Sequence, residues 1–192
     1  MSKLQLFHAG FDIIEKPDLK IGRRNADFGQ GFYLSDNLEF SRRWARERQG
    51  LTTYLNSYEM DMTWLKVKRF ARDEEWFHYI SSNRANQPDD FAEYDVIIGP
   101  IANDTIYGTW GIITSGWLTE EQALRLLTFG PVYHQVAIKT EKAADSLRFI
   151  NAVSLSNEEI ADYRKTVHRE EEQFQKQFLE LLGTIIDFEE KE

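Results

Sequence analysis

The stretch from Asp27 to Ala45, DFGQGFYLSDNLEFSRRWA, constrains the fold of this chain more than any other. Gly29 and Gly31 flank Gln30, and glycine permits the positive φ and the close backbone approach that a side chain forbids. A tight turn is expected there. Phe32, Tyr33 and Leu34 follow, and aromatic and branched residues suit a pleated strand, predicted over 32–35. Asp36 or Asn37 then fits the N-cap of a helix over 37–49, because a short polar side chain can accept from the first free amides of a helix. Turn, strand and helix follow one another without a linker.

Similar signals run along the rest of the chain. Residues 3–8 read as a short strand ending at His8, and residues 9–30 as a long loop rich in turn formers, including Gly10, Pro17, Gly22 and Asn25. Residues 53–60 and 64–70 alternate as strands do. Residues 73–83 read as a helix whose acidic first turn suits the macrodipole, and 94–98 as a strand stopped by Gly99-Pro100. A helix is expected over 103–115, another over 119–128 with Thr119 as N-cap, a strand over 132–138, a short helix over 141–149 and a strand over 150–155. From Ser156 to about Leu182 the apolar residues Ile160, Tyr163, Val167, Phe174, Phe178 and Leu181 recur on one helical face. Ser156 and Glu159 make a capping box at its start. That helix either packs across its own domain or docks a partner, whether another protein or a second copy of the chain. The expected fold class is α+β: two small, mixed or antiparallel half-sheets with flanking helices over 1–155, and the long amphipathic helix over 156–192.

Composition excludes several functions. The net charge of -9 argues against unspecific binding to nucleic acid or to an anionic membrane, which needs surplus Lys and Arg. There is no cysteine, hence no disulfide and no thiol chemistry. No apolar run reaches the ~18 residues of a membrane span, and the N-terminal stretch is too short and interrupted for a signal peptide, so a cytoplasmic protein is expected. His78, His134 and His168 stand far apart without ligand spacing, so no metal site is expected. Lys20, Arg23 and Arg24 lie in the long loop, where they suit either a phosphate or solvent. Arg42, Arg43, Arg46 and Arg48 form a basic run; helical spacing would put Arg42 and Arg46 on one face, facing an anion or balanced by Glu39 and Glu47.

Two segments then point to a chemistry. In LFHAG, residues 6–10, a strand ends in a histidine followed by a small residue and a glycine. In residues 28–36 the chain reads F-G-Q-G-F-Y-L-S-D, with Ser41 and Trp44 eight and eleven residues after Tyr33. Together they resemble the histidine–tyrosine class of ADP-ribosyltransferases, which includes diphtheria toxin and the poly(ADP-ribose) polymerases. The likeness is closer to an uncharacterised bacterial branch of that superfamily, which shares H-x-G at 8–10, the segment at 28–45, Y-D-V-I-x-G-P-x-A-N-D at 94–104 and Q-x-x-x-x-T-E-K-A at 135–143.

The resemblance implies NAD+ as substrate, with no metal. Tyr33, beside Phe32, would offer an aromatic face to the cationic nicotinamide ring, and Trp44 its far side. The N–H and C=O of Ala9 would clamp the carboxamide, Gly10 would keep the backbone open, and the Ser41 hydroxyl would bond the carboxamide oxygen. His8 would bond a hydroxyl of the adenosine ribose, and Arg23 would sit near the pyrophosphate. Asn103 and Asp104 would reach the site or cap a helix. Active relatives carry a glutamate on a late strand that holds the ribose 2′-hydroxyl; Gln135 stands there. Glutamine still accepts a hydrogen bond but carries no charge, and losing one such electrostatic contact often lowers a rate ~10²–10³-fold. The expected function is mono-ADP-ribosyl transfer to a macromolecule, toxin-like, with catalysis resting on Gln135, Tyr33 and His8. The alternatives are a catalytically weak NAD+- or ADP-ribose-binding or protein-interaction module, and an NAD+ glycohydrolase. Members of that branch are often encoded beside small antitoxin-like proteins, so such a partner is implied.

Overall fold

Strand pairing sorts the chain into two small sheets. The computed structural model describes residues 3–102, 116 and 118–189. The helix expected over 103–115, with Asn103 and Asp104, lies outside the described residues. The strands are β1 (Lys3–Gly10), β2 (Phe32–Leu34), β3 (Thr53–Asp61), β4 (Val67–Arg69), β5 (Val96–Pro100), β6 (His134–Ile138) and β7 (Leu147–Leu155). The helices are α1 (Leu38–Arg42), α2 (Glu74–Arg84), α3 (Glu120–Leu127), α4 (Glu141–Asp145) and α5 (Asn157–Glu189). One sheet has the order β1-β3-β7, all antiparallel; the other has the order β2-β6-β5-β4, parallel only between β4 and β5. The α+β class expected from the sequence is what forms.

Side-chain alternation on the central strands divides the core. On β5 and β6, Val96, Ile98, Val136 and Ile138 face a cluster with Leu6, Phe32, Tyr58 and Met60, while Ile97 and Ala137 face the helices. Both faces of these strands are covered, so the run VIIGP is buried throughout instead of alternating with polar residues. Behind the larger sheet, Trp76 of α2 and Leu126 of α3 pack with Phe174, Phe178 and Ile185 of α5. The apolar stripe of α5 is thus buried in the chain's own core, and it continues past the expected end near Leu182 to Ile185. No helix among the described residues is long and apolar enough to cross a membrane.

Local capping matches the sequence at several helix starts. Asn37 and Thr119 cap α1 and α3, and Asp73, expected inside its helix, instead caps α2. At α5 the Ser156 hydroxyl accepts from the Glu159 amide at 3.2 Å and the Glu159 carboxylate accepts from the Ser156 amide at 2.8 Å. Ser156→Ala is expected to lower stability by about 1 kcal/mol, measurable as a smaller urea midpoint; an unchanged midpoint would show that packing alone holds this end.

Several boundaries differ from expectation: the helix expected over 141–149 ends at Asp145 and β7 already begins at Leu147, while β4 spans only Val67–Arg69 of the expected 64–70. Two more differ for physical reasons that the contacts show. The helix expected over 37–49 ends at Arg42. Beyond it the amides of Arg43, Trp44 and Ala45 turn back to the carbonyls of Phe40, Ser41 and Arg42, a tighter winding than the α-helix. The Arg46 guanidinium then takes the carbonyls of Arg43 and Ala45. Arg42 and Arg46 therefore do not share a helical face. β5 runs through Gly99-Pro100 instead of stopping there: Gly99 pairs with Gln135 and Pro100 with His134, and the Pro100 carbonyl accepts from the Trp76 indole at 3.0 Å. A Cβ on Gly99 would stand 3.0 Å from both Phe28 and Phe70, so glycine here makes room for the core.

Candidate active site

Among the described residues the backbones of the two sheets join at an isolated bridge, where Phe7 and Ser35 exchange hydrogen bonds of 2.9 and 3.0 Å. Pairing does not continue along β1 and β2, and a cavity of about 380 Å³ opens beside the bridge. Its wall includes His8 and Ala9 from β1, Tyr33 from β2, Ser41 and Trp44 from α1 and the turn after it, Gln135 from β6, and Arg23 and Asp27 from the long loop. Backbone polar groups alternate in direction along a strand. Phe7 points its N–H and C=O at β2, so those of Ala9, two residues on, point to the same side. That side of β1 is the edge of its sheet.

His8 is fixed by its surroundings. Its Nδ1 lies 2.8 Å from the Tyr33 carbonyl, and its ring packs on Phe32 with centroids 4.7 Å apart. A carbonyl only accepts, so Nδ1 carries the proton and Nε2 of the neutral ring is an acceptor. Burial lowers the pKa of His8 and outweighs the opposing pull of the Tyr33 carbonyl. The unfolded chain thus takes up the proton first as pH falls. The stabilisation from neutral His8 is complete above the ordinary value of 6.5 and is lost as pH drops from there through the lower folded value. Thermal midpoints measured from pH 7.5 down to pH 5 should fall less steeply for His8→Gln than for the wild type; parallel slopes would sink this assignment. Gly10 does not line the cavity. A Cβ there would stand 3.2 Å from His8 Nε2, so glycine keeps that acceptor uncrowded.

Tyr33 lines the cavity while its hydroxyl is bound into the glycine turn. The hydroxyl accepts from the Phe28 amide at 3.0 Å and donates to the Gly29 carbonyl at 2.6 Å. Burial, helped by the Asp27 carboxylate, pushes its pKa far above the usual phenol value, so it remains a proton donor. The ring is thereby held as a wall. Gly29 adopts φ +71, and Lys139, ion-paired to Asp89 at 3.0 Å, also donates to the Phe28 carbonyl behind the turn. Gln30 closes the long loop by donating to the carbonyls of Lys20 and Gly22.

Ser41 is buried and its hydroxyl donates to the Asn37 carbonyl at 3.0 Å, so in this rotamer its oxygen can accept but its proton is engaged. Trp44 stands at the rim, 39% exposed, edge-on to Phe40 at 5.9 Å. Phe32 takes a different place from the one expected for a cofactor contact. As the alternate residue to Tyr33 on β2 it faces the core between the sheets, where it supports the His8 ring. The basic run is held by the protein: Arg42 bonds Glu39 and lies over the Tyr163 ring at 5.6 Å, and Arg43 pairs with Glu170 of α5 and lies over Tyr133 at 4.9 Å. Arg23 alone of the loop cations expected near phosphate lines the cavity. No cluster of three metal-ligating side chains is present among the described residues.

Asp27 is the residue that sequence reading missed. It is 7% exposed and lines the cavity. Arg84 at the end of α2 donates to its Oδ1 from Nε at 2.8 Å and from Nη2 at 2.7 Å, and Gln135 Nε2 lies 3.3 Å from its Oδ2. Only its position directly before Phe28 in the glycine segment hinted at a role. Its partners lie 57 and 108 residues away.

No curated protein and no solved structure matches this chain. One family model does, described as "Protein of unknown function (DUF3990)", and it covers residues 4–149 of 192, a span holding every strand of the larger sheet and the whole wall of the cavity. With the match extending over most of its length, the chain belongs to that family.

Proposed function

We propose that this chain binds NAD+ in the crevice between its two sheets and transfers ADP-ribose to a macromolecular acceptor, releasing nicotinamide. One observation supports the reading above the others: His8, Ala9, Tyr33, Ser41, Trp44 and Gln135, scattered over more than a hundred residues of sequence, line a single cavity. The volume of about 380 Å³ lies within the ~300–1,000 Å³ of ordinary ligand pockets. In this reading the Tyr33 ring takes the nicotinamide face, the outward-directed groups of Ala9 take its carboxamide, His8 Nε2 accepts from a ribose hydroxyl, and Arg23 meets the pyrophosphate. A small antitoxin-like protein is the partner that goes with a toxin-like activity.

A second reading is a binding module that keeps NAD+ or ADP-ribose without turnover. The neutral amide of Gln135 favours it. Labelled NAD+ incubated with the purified protein, with and without cell extract, separates the readings. Label on protein or nucleic acid supports the transferase, nicotinamide with free ADP-ribose supports a hydrolase, and retention without turnover supports the module. Absence of any NAD+ or ADP-ribose binding sinks all three.

A further inference from the structure

Gln135 does not stand alone on the cavity wall. A carboxylate has no proton to give, so the amide end that meets Asp27 Oδ2 at 3.3 Å must be the NH2 group. Gln135 Oε1 is therefore turned away from Asp27, and among the described residues it accepts no hydrogen bond. Arg84 Nε and Nη2 both reach the other oxygen, Oδ1. Asp27 lines the cavity and Arg84 does not, so the negative end of this ion pair is the nearer one to anything bound there. At short range in a partly buried site such a charge is incompletely cancelled by a partner standing behind it.

From this arrangement, and resting on the NAD+ reading above, we infer that Asp27 and Gln135 work as one acceptor for the ribose 2′-hydroxyl. Gln135 Oε1 accepts the hydrogen bond that the 2′-hydroxyl donates. Asp27 is a positioning residue: it fixes the amide rotation and adds the negative charge that a glutamine lacks. In the simplest reaction the bond between the nicotinamide nitrogen and ribose C1′ breaks, and its electron pair leaves with neutral nicotinamide. A water oxygen then attacks the cationic C1′ and gives a proton to solvent, yielding free ADP-ribose. The Asp27–Gln135 pair steadies the cation between those two events, as fixed charges and dipoles do without reorganising.

The test measures nicotinamide release and NAD+ affinity for the full chain and three variants. Asp27→Asn should lower the maximal rate by about 10²-fold while NAD+ affinity hardly changes, a split that a purely structural role would not give. Gln135→Glu should lower the rate about tenfold or more, because it sets a second carboxylate against the first. The double variant Asp27→Asn/Gln135→Glu carries the charge across the hydrogen bond and should recover at least the wild-type rate. Should Asp27→Asn misfold for want of a partner for Arg84, Gln135→Glu decides by itself. A rate raised by Gln135→Glu, or one untouched by Asp27→Asn, overturns the inference. NAD+ binding with no nicotinamide released by any variant also overturns it while sparing the binding reading. Failure of the wild type to bind NAD+ overturns that reading and this inference with it.

Discussion

Gly31→Ala is expected to lower stability by about 3 kcal/mol and to close or distort the cavity, since overpacking against parts that cannot yield costs about 1–3 kcal/mol and sometimes more. An alanine Cβ at this position would stand 2.5 Å from the Ile138 carbonyl oxygen. That oxygen belongs to β6, at the register position that pairs with Phe32, so it cannot retreat without undoing the β2–β6 ladder that places Tyr33. From the other side, Gly22 packs so closely that its own Cβ would meet the Gly31 carbonyl at 2.2 Å. Gly29→Ala makes the control. Its backbone has φ +71, which costs a non-glycine residue about 1–2 kcal/mol. Its nearest neighbours, Asn83 Oδ1 and Lys139 Nζ at 2.9 Å, are side-chain ends that can move. Urea unfolding of both variants should therefore rank Gly31→Ala as the more damaging. The reverse order would mean that the turn and not the backbone packing sets the geometry here.

Tyr33 carries the second large effect, which divides into two parts. Tyr33→Phe keeps the ring and removes the hydroxyl, leaving the Phe28 amide and the Gly29 carbonyl without the partner they share. Part-buried polar groups left unpaired cost about 1–3 kcal/mol each, so a loss of about 2–4 kcal/mol is expected. Under the proposed function NAD+ affinity, corrected for the folded fraction, should survive this change. Tyr33→Leu removes the aromatic face as well, and attraction between a cation and an aromatic ring is worth about 0.5–2 kcal/mol. A further loss of affinity of about tenfold is then expected. Equal affinities for the Phe and Leu variants, measured by NAD+ titration, would remove Tyr33 from the binding role.

The sequence was most informative where local chemistry decides. Asn37, Thr119 and Ser156, read as caps, each cap a helix, and the apolar stripe of α5 is buried as its spacing requires. It was least informative where distant groups compete for backbone atoms. The short α1 results from Arg46 taking carbonyls that a longer helix would use, and Pro100 stays in its strand because the Trp76 indole N–H donates to its carbonyl. At the site, the residues of the glycine segment were legible from pattern, since strand alternation and turn chemistry place Tyr33 and Gly29. Phe32 was not, because its face depends on which side of β2 meets the smaller sheet. Asp27 was not either, because a carboxylate acquires meaning only through Arg84 and Gln135, which the fold alone brings to it.

The match to the family ends at residue 149, yet Phe174, Phe178 and Ile185 fill the same core as Trp76 and Leu126. Arg43, one residue past α1 and next to the rim residue Trp44, is anchored by Glu170. The segment that marks the family and the piece that folds as a unit are thus different lengths of polypeptide. A chain trimmed to residues 4–149 would lose its hydrophobic backing and the tether of one cavity wall together, so the two losses could not be separated by truncation.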